Sequence, residues 1–228
     1  MSKEIFKIIK KMRIARGFSQ LEIAKKLGVS RTSYIAIEQG KRKLSLAEAQ
    51  KIADIFGITL EEIESGLTPN YEKYKEMILA YLRDATPTDG KIPKTKLAKL
   101  LYLADFAWFY DHLQSMSGMA YRKIQYGPVP DVYFRVIDEL FEAGKIEIEN
   151  TEDGAMLISE TGSAQRAELP TLNAEEKNLI KNIAKKWKNK RTQEIVAFTH
   201  GQLPYLVSHD NEIIPYEVIT QENVEDLY

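Results

Sequence analysis

The fold of the N-terminal part is decided by the stretch FSQLEIAKKLGVSRTSYIAIEQGKRK, residues 18–43. Its apolar residues recur at helical spacing in two short segments with a turn between them. Each segment follows a serine, Ser19 or Ser30, whose side-chain oxygen can accept a hydrogen bond from an unpaired amide at the start of a helix. The stretch therefore predicts two helices, over residues 20–27 and 31–39.

The residues around the turn are those that a tight helix crossing requires. Two helices that cross at a steep angle approach closely at one point, where a small side chain fits, and Ala24 stands there. Gly28 can end the first helix because glycine adopts the left-handed backbone conformation without strain. The residues expected in the interior are Ile23, Leu27, Val29, Tyr34 and Ile37. The spacing predicts a helix-turn-helix.

A helix-start signal, a capping side chain followed three residues later by glutamate, occurs four times. The pairs are Ser19–Glu22, Ser45–Glu48, Thr59–Glu62 and Asn173–Glu176. Three pairs lie close together, which predicts a five-helix domain over residues 1–66. Its helices are expected at 3–16, 20–27, 31–39, 46–56 and 60–65. Gly-Leu-Thr-Pro at 66–69 breaks the helical pattern and is the expected linker.

Charge is unevenly divided along the chain, although the net charge of the 228 residues is only −1. Residues 1–66 carry 13 Lys and Arg against 8 Asp and Glu, whereas the remainder carries 19 against 25. A basic first domain indicates a polyanionic partner, and an acidic second part indicates a different task.

Composition also indicates where the protein works. The chain has no cysteine, and its start lacks the apolar segment of a signal peptide. No apolar run approaches the roughly 18 residues that cross a bilayer. We therefore expect a cytoplasmic protein that makes no membrane contact.

The first domain resembles the Cro/phage-repressor type of helix-turn-helix, also called Xre-like. The resemblance rests on residues 18–24, 27–31 and 37–42, and residues 46–58 are similar to the fourth helix of that family. It implies a domain that binds double-stranded DNA with its second motif helix in the major groove. The alternative, a small helical domain with a solvated basic face, is less favoured because the motif spacing coincides with the positive charge.

Carried over residue by residue, the resemblance implies that Arg31, Thr32 and Ala36 face the bases and that Ser33 lies near the DNA backbone. Arg31 can pair bidentately with guanine, which discriminates by about 1–3 kcal/mol. Since this set holds one strong base reader, we expect a homodimer on a palindromic operator with half-sites about 34–36 Å apart.

Further residues are expected to contact phosphates and so to position the protein. They are Gln20, Lys41, Arg42 and Lys43. Gln20 stands at a helix start, where donors meet an anion. Tyr34 occupies a position where an aliphatic residue is commoner, and we expect its ring to pack and its hydroxyl to reach a phosphate or solvent.

The second part, residues 71–207, is predicted to be mostly helical with one small β-hairpin, so the fold class is mainly α. Helices are expected at 71–83, 94–111, 131–143, 174–188 and 192–199. The alternating runs 145–150 and 155–159 flank an Asp-Gly pair, which favours a tight hairpin. From Pro204 the sequence becomes polar, and residues 208–228 are expected to form an irregular C-terminal tail.

The second part has no residue set with the spacing of a catalytic centre. Its histidines, His112, His200 and His209, lack a second histidine at metal-ligand spacing. Neither a phosphate-binding glycine loop nor a GxSxG nucleophile turn occurs. We expect neither an enzyme nor a metal or other cofactor.

Three motifs rich in aromatic, proline and glycine residues stand out instead. They are KLLYLAD at 99–105, YGPVP at 126–130 and FTHGQ at 198–202, the last followed by Pro204 and Tyr205. The local pattern indicates a buried helix, a rigid turn before a helix and a helix end. Their order resembles the SocA-like antitoxin domain, also called Panacea, over residues 71–207. That resemblance implies a domain that binds a protein toxin, often encoded beside it.

The candidates for toxin contact are the motif residues Tyr126, Pro128, His200 and Tyr205. Aromatic side chains often carry the binding energy of interfaces. Residues in such motifs more often serve the core or a turn, while the variable surface selects the partner.

Together the two resemblances imply an antitoxin of a type II toxin–antitoxin system. Its C-terminal domain would neutralise a cognate toxin by direct binding, and its N-terminal domain would repress its own operon. The alternative is a stand-alone phage or cellular transcriptional repressor whose second domain senses a ligand or dimerises. A toxin gene adjoining this one would distinguish the two.

Overall fold

The computed structural model describes residues 3–56, 67, 69–85, 90–152 and 154–228. The chain divides into two compact units, Met1–Thr68 and Pro69–Tyr228. The fold is mainly helical, as predicted from the sequence. The expected fifth helix at 60–65, with its Thr59–Glu62 pair, lies outside the described residues.

The first unit contains four described helices. They are α1 (Lys3–Ala15), α2 (Gln20–Leu27), α3 (Arg31–Glu38) and α4 (Leu46–Phe56). Their apolar faces meet in one core that includes Ile9, Met12, Ile23, Leu27, Ile37, Ile52 and Phe56. Ala24 is 1% exposed, which agrees with its predicted place at the close approach of two helices.

The capping residues act as the sequence predicts. Ser19 Oγ accepts a hydrogen bond from the Glu22 amide at 3.2 Å, and the Glu22 carboxylate accepts one from the Ser19 amide at 2.7 Å. Gly28 ends α2 with a φ of +75°, a conformation that favours glycine. A cap of this kind stabilises a helix by about 1 kcal/mol, so the turn is fixed locally.

The second unit holds six helices and five strands among the residues described. The helices are α5 (Tyr71–Asp84), α6 (Lys94–His112), α7 (Tyr133–Glu142), α8 (Ala174–Trp187), α9 (Thr192–Gly201) and α10 (Leu203–Val207). The strands are β1 (Ile92–Pro93), β2 (Tyr121–Ile124), β3 (Gly127–Pro130), β4 (Ile146–Asn150) and β5 (Met156–Glu160).

Helix α6 lies at the centre of the second unit. Thirteen of its 19 residues are buried, and it contacts α5, α8, α9, β1, β3 and β5. A helix that is apolar on all sides is one that other elements surround. The second unit is therefore built around the helix that carries the KLLYLAD motif.

Two small sheets flank the helices, whereas the sequence indicated a single hairpin. The expected hairpin, β4 and β5, is extended by β1 into an antiparallel sheet of order β1-β5-β4. Strands β2 and β3 form a second hairpin, in which Ile124 pairs with Gly127. Residues 126–130 were expected to be a turn because they contain two prolines. The prolines are tolerated because both lie in β3, which is an edge strand of the hairpin.

The expectation of an irregular tail at 208–228 is corrected by the structure. This segment contains the 3-10 helices Tyr216–Gln221 and Val224–Asp226. Tyr216 stacks on Phe106 of α6 with ring centroids 4.2 Å apart, and Ile214 and Ile219 are fully buried. The segment is polar in composition, but its apolar residues Ile214, Tyr216 and Ile219 are buried in the second unit.

Ion pairs join distant parts of the second unit. The Glu160 carboxylate accepts hydrogen bonds from Arg83 Nη2 at 2.7 Å and Nε at 3.0 Å, and Lys73 Nζ lies 2.6 Å from Glu176. Within the described ranges, no helix has the length and apolarity to cross a membrane.

Candidate functional site

The start of α3 is the exposed part of the helix-turn-helix. Ser30 Oγ accepts a hydrogen bond from the Ser33 amide at 3.1 Å, which fixes the first turn of the helix. Arg31 and Thr32 are exposed, whereas Ser33 and Ala36 are half-buried. The first turn therefore presents a guanidinium and a hydroxyl to solvent, at the end of the helix that such domains direct at base edges.

Tyr34 does not belong to this exposed set. Its side chain is fully buried, and its hydroxyl lies inside the unit beside Arg13 and Glu38. Burial raises the pKa of this hydroxyl. The expectation that the hydroxyl reaches a phosphate or solvent is therefore wrong, because Tyr34 lies on the face of α3 that packs against α1 and α2.

Glu38 is the centre of this polar cluster. Its carboxylate accepts hydrogen bonds from Arg13 Nε at 2.6 Å and from Gln20 Nε2 at 2.9 Å. Arg13 also donates to the carbonyl of Phe18 at 2.9 Å. The cluster ties α1 and the start of α2 to the end of α3. The side-chain amide of Gln20, expected to meet a phosphate, thus donates to Glu38 instead.

The charge state of Glu38 follows from these contacts. Burial alone would raise the pKa of its carboxyl, but the hydrogen bonds from Arg13 and Gln20 outweigh burial and lower the pKa below its ordinary value. Glu38 is thus ionised at neutral pH and completes a buried ion pair with Arg13. A buried pair stabilises a fold only when both partners are present.

The basic loop after α3 is divided between packing and solvent. Arg42 Nη2 donates to the Glu48 carboxylate at 2.7 Å, and this contact lowers the pKa of Glu48. Lys41 and Lys43 on either side are exposed and pair with no carboxylate in the part of the chain described. The two lysines can therefore approach phosphates directly, whereas Arg42 serves the fold of the loop.

In the second unit, the sequence motifs meet at Lys99. This lysine of α6 is 1% exposed, and its Nζ donates a hydrogen bond to the carbonyl of Pro128 in β3 at 2.9 Å. Burial lowers the pKa of the Lys99 ammonium to about 7. A lysine in this setting exchanges its proton near neutral pH, far below the usual range for lysine.

Gly127 explains why the second motif requires glycine. Its φ is +93°, and a Cβ atom there would stand 2.7 Å from Lys99 Cε and 2.8 Å from His200 Nε2. Both distances are too short for non-bonded atoms. A Cβ at position 127 would require the Lys99 and His200 side chains to move, and the positive φ itself favours glycine.

His200 and Tyr205 form a stacked pair beside Gly127. Their rings lie 4.4 Å apart and nearly parallel, at 5°. Lys123 of β2 lies 4.5 Å above the Tyr205 ring and donates to the Tyr205 carbonyl at 3.1 Å. His200 Nε2 is buried and has no hydrogen-bond partner within the described ranges. Burial and the nearby charge of Lys99 lower the pKa of His200.

Asp105, the last residue of the KLLYLAD motif, organises the loop after α6. Its fully buried carboxylate accepts hydrogen bonds from the Ser117 amide at 2.7 Å, from Ser115 Oγ at 2.9 Å and from Tyr121 Oη at 2.8 Å. Burial raises the pKa of this carboxyl despite these donors. Asp105 thereby holds the start of β2.

The structure separates the four candidates for toxin contact. Tyr126 lies in the tight turn of the β2–β3 hairpin and is 68% exposed. Pro128 and Tyr205 are buried and His200 is half-buried, so direct contact by Pro128 and Tyr205 is not supported. Their motif positions reflect the packing of the hairpin, and Tyr126 is the motif residue that a partner can reach.

Several residues of both sites, namely Arg13, Glu38, Lys99 and Lys123, were given no site role from the sequence. Arg13, Glu38 and Lys123 resemble in type the many lysines, arginines and glutamates elsewhere in the chain, most of which are not buried. A sequence signal exists only for Lys99, which interrupts the apolar run of α6. Helical spacing alone cannot tell a buried charged residue from an exposed one.

Comparison with known families agrees with this division. Residues 9–63 match the helix-turn-helix family, and residues 97–204 match the family described as antitoxin SocA-like, Panacea domain. Both families are typically non-enzymatic. No solved structure was found to match the chain.

Individual relatives match over a limited part of the chain. An uncharacterised helix-turn-helix transcriptional regulator of Methanocaldococcus jannaschii is 49% identical over 55 residues, which are 24% of this chain and 83% of that protein. The control protein C.MunI of a Mycoplasma species is 40% identical over 60 residues, 26% of this chain and 81% of its own. The transcriptional repressor RstR of the cryptic phage CTXphi in Vibrio cholerae is 32% identical over 71 residues, 31% of this chain and 64% of RstR. The chain thus belongs to the helix-turn-helix transcriptional regulators of the Xre/Cro type, and it carries a SocA-like Panacea antitoxin domain after that module.

Proposed function

We propose that the protein is an antitoxin of a type II toxin–antitoxin system that also represses its own operon. The observation that carries the proposal is the presence, in one chain, of a helix-turn-helix match at 9–63 and a SocA-like antitoxin match at 97–204. The second unit would neutralise a cognate toxin by direct binding. The first unit would bind operator DNA.

The proposed DNA contacts fall into two kinds. Arg31 and Thr32, exposed at the start of α3, read base edges together with Ala36. Lys41, Lys43 and the start of α2 bind phosphates, which sets position and affinity but carries no sequence information. Since one strong base reader per half-site gives little discrimination, we propose that two copies bind a palindromic operator.

The proposed toxin surface includes the tip of the β2–β3 hairpin. Tyr126 is exposed there although the strands beside it are held firmly by Lys99, Lys123 and Asp105. A rigidly held, exposed aromatic residue loses little conformational entropy on binding, which favours an interface hot spot. Pro128 and His200 would act by supporting this hairpin.

Co-expression tests the proposal. The small reading frame adjoining this gene is expressed from an unrelated inducible promoter, with and without the full chain. We expect the frame alone to stop growth, the chain to restore growth, and the two proteins to copurify. A Tyr126→Ser variant should weaken rescue, whereas the matched control Val224→Ser, which changes a residue that is 70% exposed elsewhere in the unit, should not.

The alternative is a stand-alone repressor with a ligand-sensing or dimerising second unit. The match to the phage repressor RstR favours it, because RstR is named as a transcriptional repressor. It requires that the neighbouring reading frame be harmless, or that toxicity continue when the full chain is present. Operator binding that weakens on addition of a small molecule would support it further.

A further inference from the structure

Beyond the proposed toxin binding, we infer that the second unit has a small-molecule site for an apolar carboxylate. In this site the Lys99 ammonium binds the carboxylate group of the ligand. The site is a cavity of about 680 Å³ between the start of α6, the β2–β3 hairpin, the start of α7 and strand β5. Ligand sites in proteins typically have volumes of about 300–1,000 Å³. The cavity has room for a ligand of drug-like size.

The walls of the cavity are mostly apolar. They include Ile124 and Val129 from the hairpin, Phe134 from α7, and Met156 and Leu157 from β5. Phe134 is 51% exposed and Met156 is 42% exposed, so the apolar surface is open to a ligand. Burial of such surface favours binding by about 25 cal/mol per Å².

Positive charge is concentrated in this cavity within an acidic part of the chain. Its titratable lining residues are Lys94, Lys99, Tyr126 and Tyr133, and no described lining residue is acidic. Residues 67–228 together carry 25 Asp and Glu against 19 Lys and Arg. A cavity that has two lysines and no carboxylate attracts an anion.

Lys99 has unused hydrogen-bonding capacity. Its ammonium donates one hydrogen bond, to the Pro128 carbonyl at 2.9 Å, and contacts no carboxylate in the part of the chain described. An ammonium group has three donors. A buried cation without a counter-ion is costly, and a ligand carboxylate would both neutralise it and fill its remaining donors.

The arrangement fits a carboxylate better than a phosphate. A phosphate ester carries nearly two charges and several acceptor oxygens, and proteins bind it with arginine forks or successive backbone amides. The cavity has neither an arginine nor a glycine-rich amide cradle among its described lining residues. Lys94 lies at the rim with its Nζ 4.8 Å from the centre of the Phe134 ring, where it adds charge without a second fixed donor.

Binding of defined probes to the purified full chain tests the site. The probes are 4-phenylbutyrate and hexanoate, each compared with its uncharged alcohol, by isothermal titration calorimetry at slightly acidic pH. A peptide ending in leucine with a free carboxylate, compared with its C-terminal amide, forms a second arm. For each carboxylate that binds, we expect an affinity at least about tenfold higher than that of its uncharged partner. This difference is the contribution of one charge-assisted hydrogen bond.

Variants locate the binding in the cavity. Lys99→Met keeps a side chain of similar length and removes its charge, so the affinity for carboxylates should fall about tenfold or more. Met156→Glu leaves Lys99 in place but adds a negative charge to an exposed wall position, and it should also weaken binding. The matched controls are Lys185→Met and Val224→Glu, both exposed and outside the cavity.

The outcomes separate the two sources of a carboxylate. Binding of the free acids supports the small-molecule site, whereas binding of the peptide alone would overturn it in favour of the C-terminus of a partner protein. No binding by any carboxylate, equal binding of the uncharged partners, or unchanged affinity in Met156→Glu would overturn the inference. Since the test needs no toxin, its failure leaves the antitoxin proposal standing.

Discussion

Lys99 Nζ donates a hydrogen bond to the carbonyl oxygen of Pro128 at 2.9 Å, and this contact joins two motifs that lie 29 residues apart in the chain. It attaches the β2–β3 hairpin to the central helix α6. Lys99 Cε and His200 Nε2 both lie within 3 Å of the position that a Cβ of Gly127 would occupy. The motif residues thus form one packed cluster that supports the exposed turn at Tyr126.

Gly127→Ala should destabilise the second unit strongly. The new Cβ would lie less than 3 Å from both Lys99 Cε and His200 Nε2. In addition, residue 127 has a left-handed backbone conformation that alanine rarely adopts. We expect a loss of roughly 2–4 kcal/mol in the free energy of unfolding, measured by urea denaturation.

The matched control for this change is Gly144→Ala. Gly144 also has a positive φ, of +64°, but nothing lies within 4 Å of its would-be Cβ. Its cost should be limited to backbone strain, about 1 kcal/mol. Equal losses for the two variants would contradict the close approach at Gly127.

The titration of Lys99 should make stability depend on pH. Its pKa is about 7 in the folded state, against about 10.4 in an unfolded chain. Between these values the unfolded chain binds the additional proton, so the free energy of unfolding should rise with pH from about 7 to about 10. Above that range the buried tyrosines, whose pKa values burial raises, reverse the trend.

Lys99→Met isolates this contribution. Burial and the charge of Lys99 lower the pKa of His200, so His200 titrates below this window. The rise in stability should be smaller in Lys99→Met than in the wild type when urea midpoints are compared at several pH values. The matched variant Lys185→Met should keep the wild-type slope, and an identical slope in Lys99→Met would refute the assignment.

Removing one partner of the Arg13–Glu38 pair should destabilise the helix-turn-helix more than removing both. Glu38→Gln leaves the Arg13 guanidinium, half-buried, without its counter-ion, and we expect a loss of about 3 kcal/mol in the stability of the first unit. A double variant, Arg13→Met with Glu38→Leu, should recover part of that loss. Thermal unfolding of the full chain measures both changes, and a double variant that is less stable than Glu38→Gln would contradict the prediction.

Arg31 and Lys43 should differ in how they affect DNA binding. Arg31→Ala should reduce operator affinity by about 1–3 kcal/mol and relax the base preference at one position of each half-site. Lys43→Ala should weaken binding to all sequences alike. It should also reduce the steepness of the plot of log K against log salt concentration by about one. Gel-shift titrations over a range of salt separate the two effects, and a uniform loss in Arg31→Ala would exclude it as a base reader.

The sequence predicted the helices well because their signals are local. Ser19, Ser30 and Gly28 each act within one helical turn, and the bonds expected from them are present. The β2–β3 hairpin was missed because Pro128 and Pro130 indicate a turn unless the strand that contains them is known to be an edge. Its formation depends on long-range contacts to α6.

The candidate sites were less predictable for a similar reason. Tyr34 was expected to reach solvent, yet its position on α3 directs it toward Arg13 of another helix. Gln20 and Arg42 were assigned to phosphates, but their side chains donate to Glu38 and Glu48. Which basic or polar residue is held by a carboxylate depends on tertiary packing, and that pairing is not encoded in residue spacing.

The central claim is that one chain holds a neutralising unit and a separate DNA-binding unit. Its most direct test is growth rescue by full-length Arg31→Ala when the adjoining reading frame is expressed from an unrelated promoter. We expect this variant to bind its operator about 1–3 kcal/mol more weakly in gel shifts and still to restore growth as fully as the wild-type chain. Failure of the variant to restore growth where the wild-type chain succeeds would contradict the separation of the two tasks, and failure of both chains would contradict neutralisation itself.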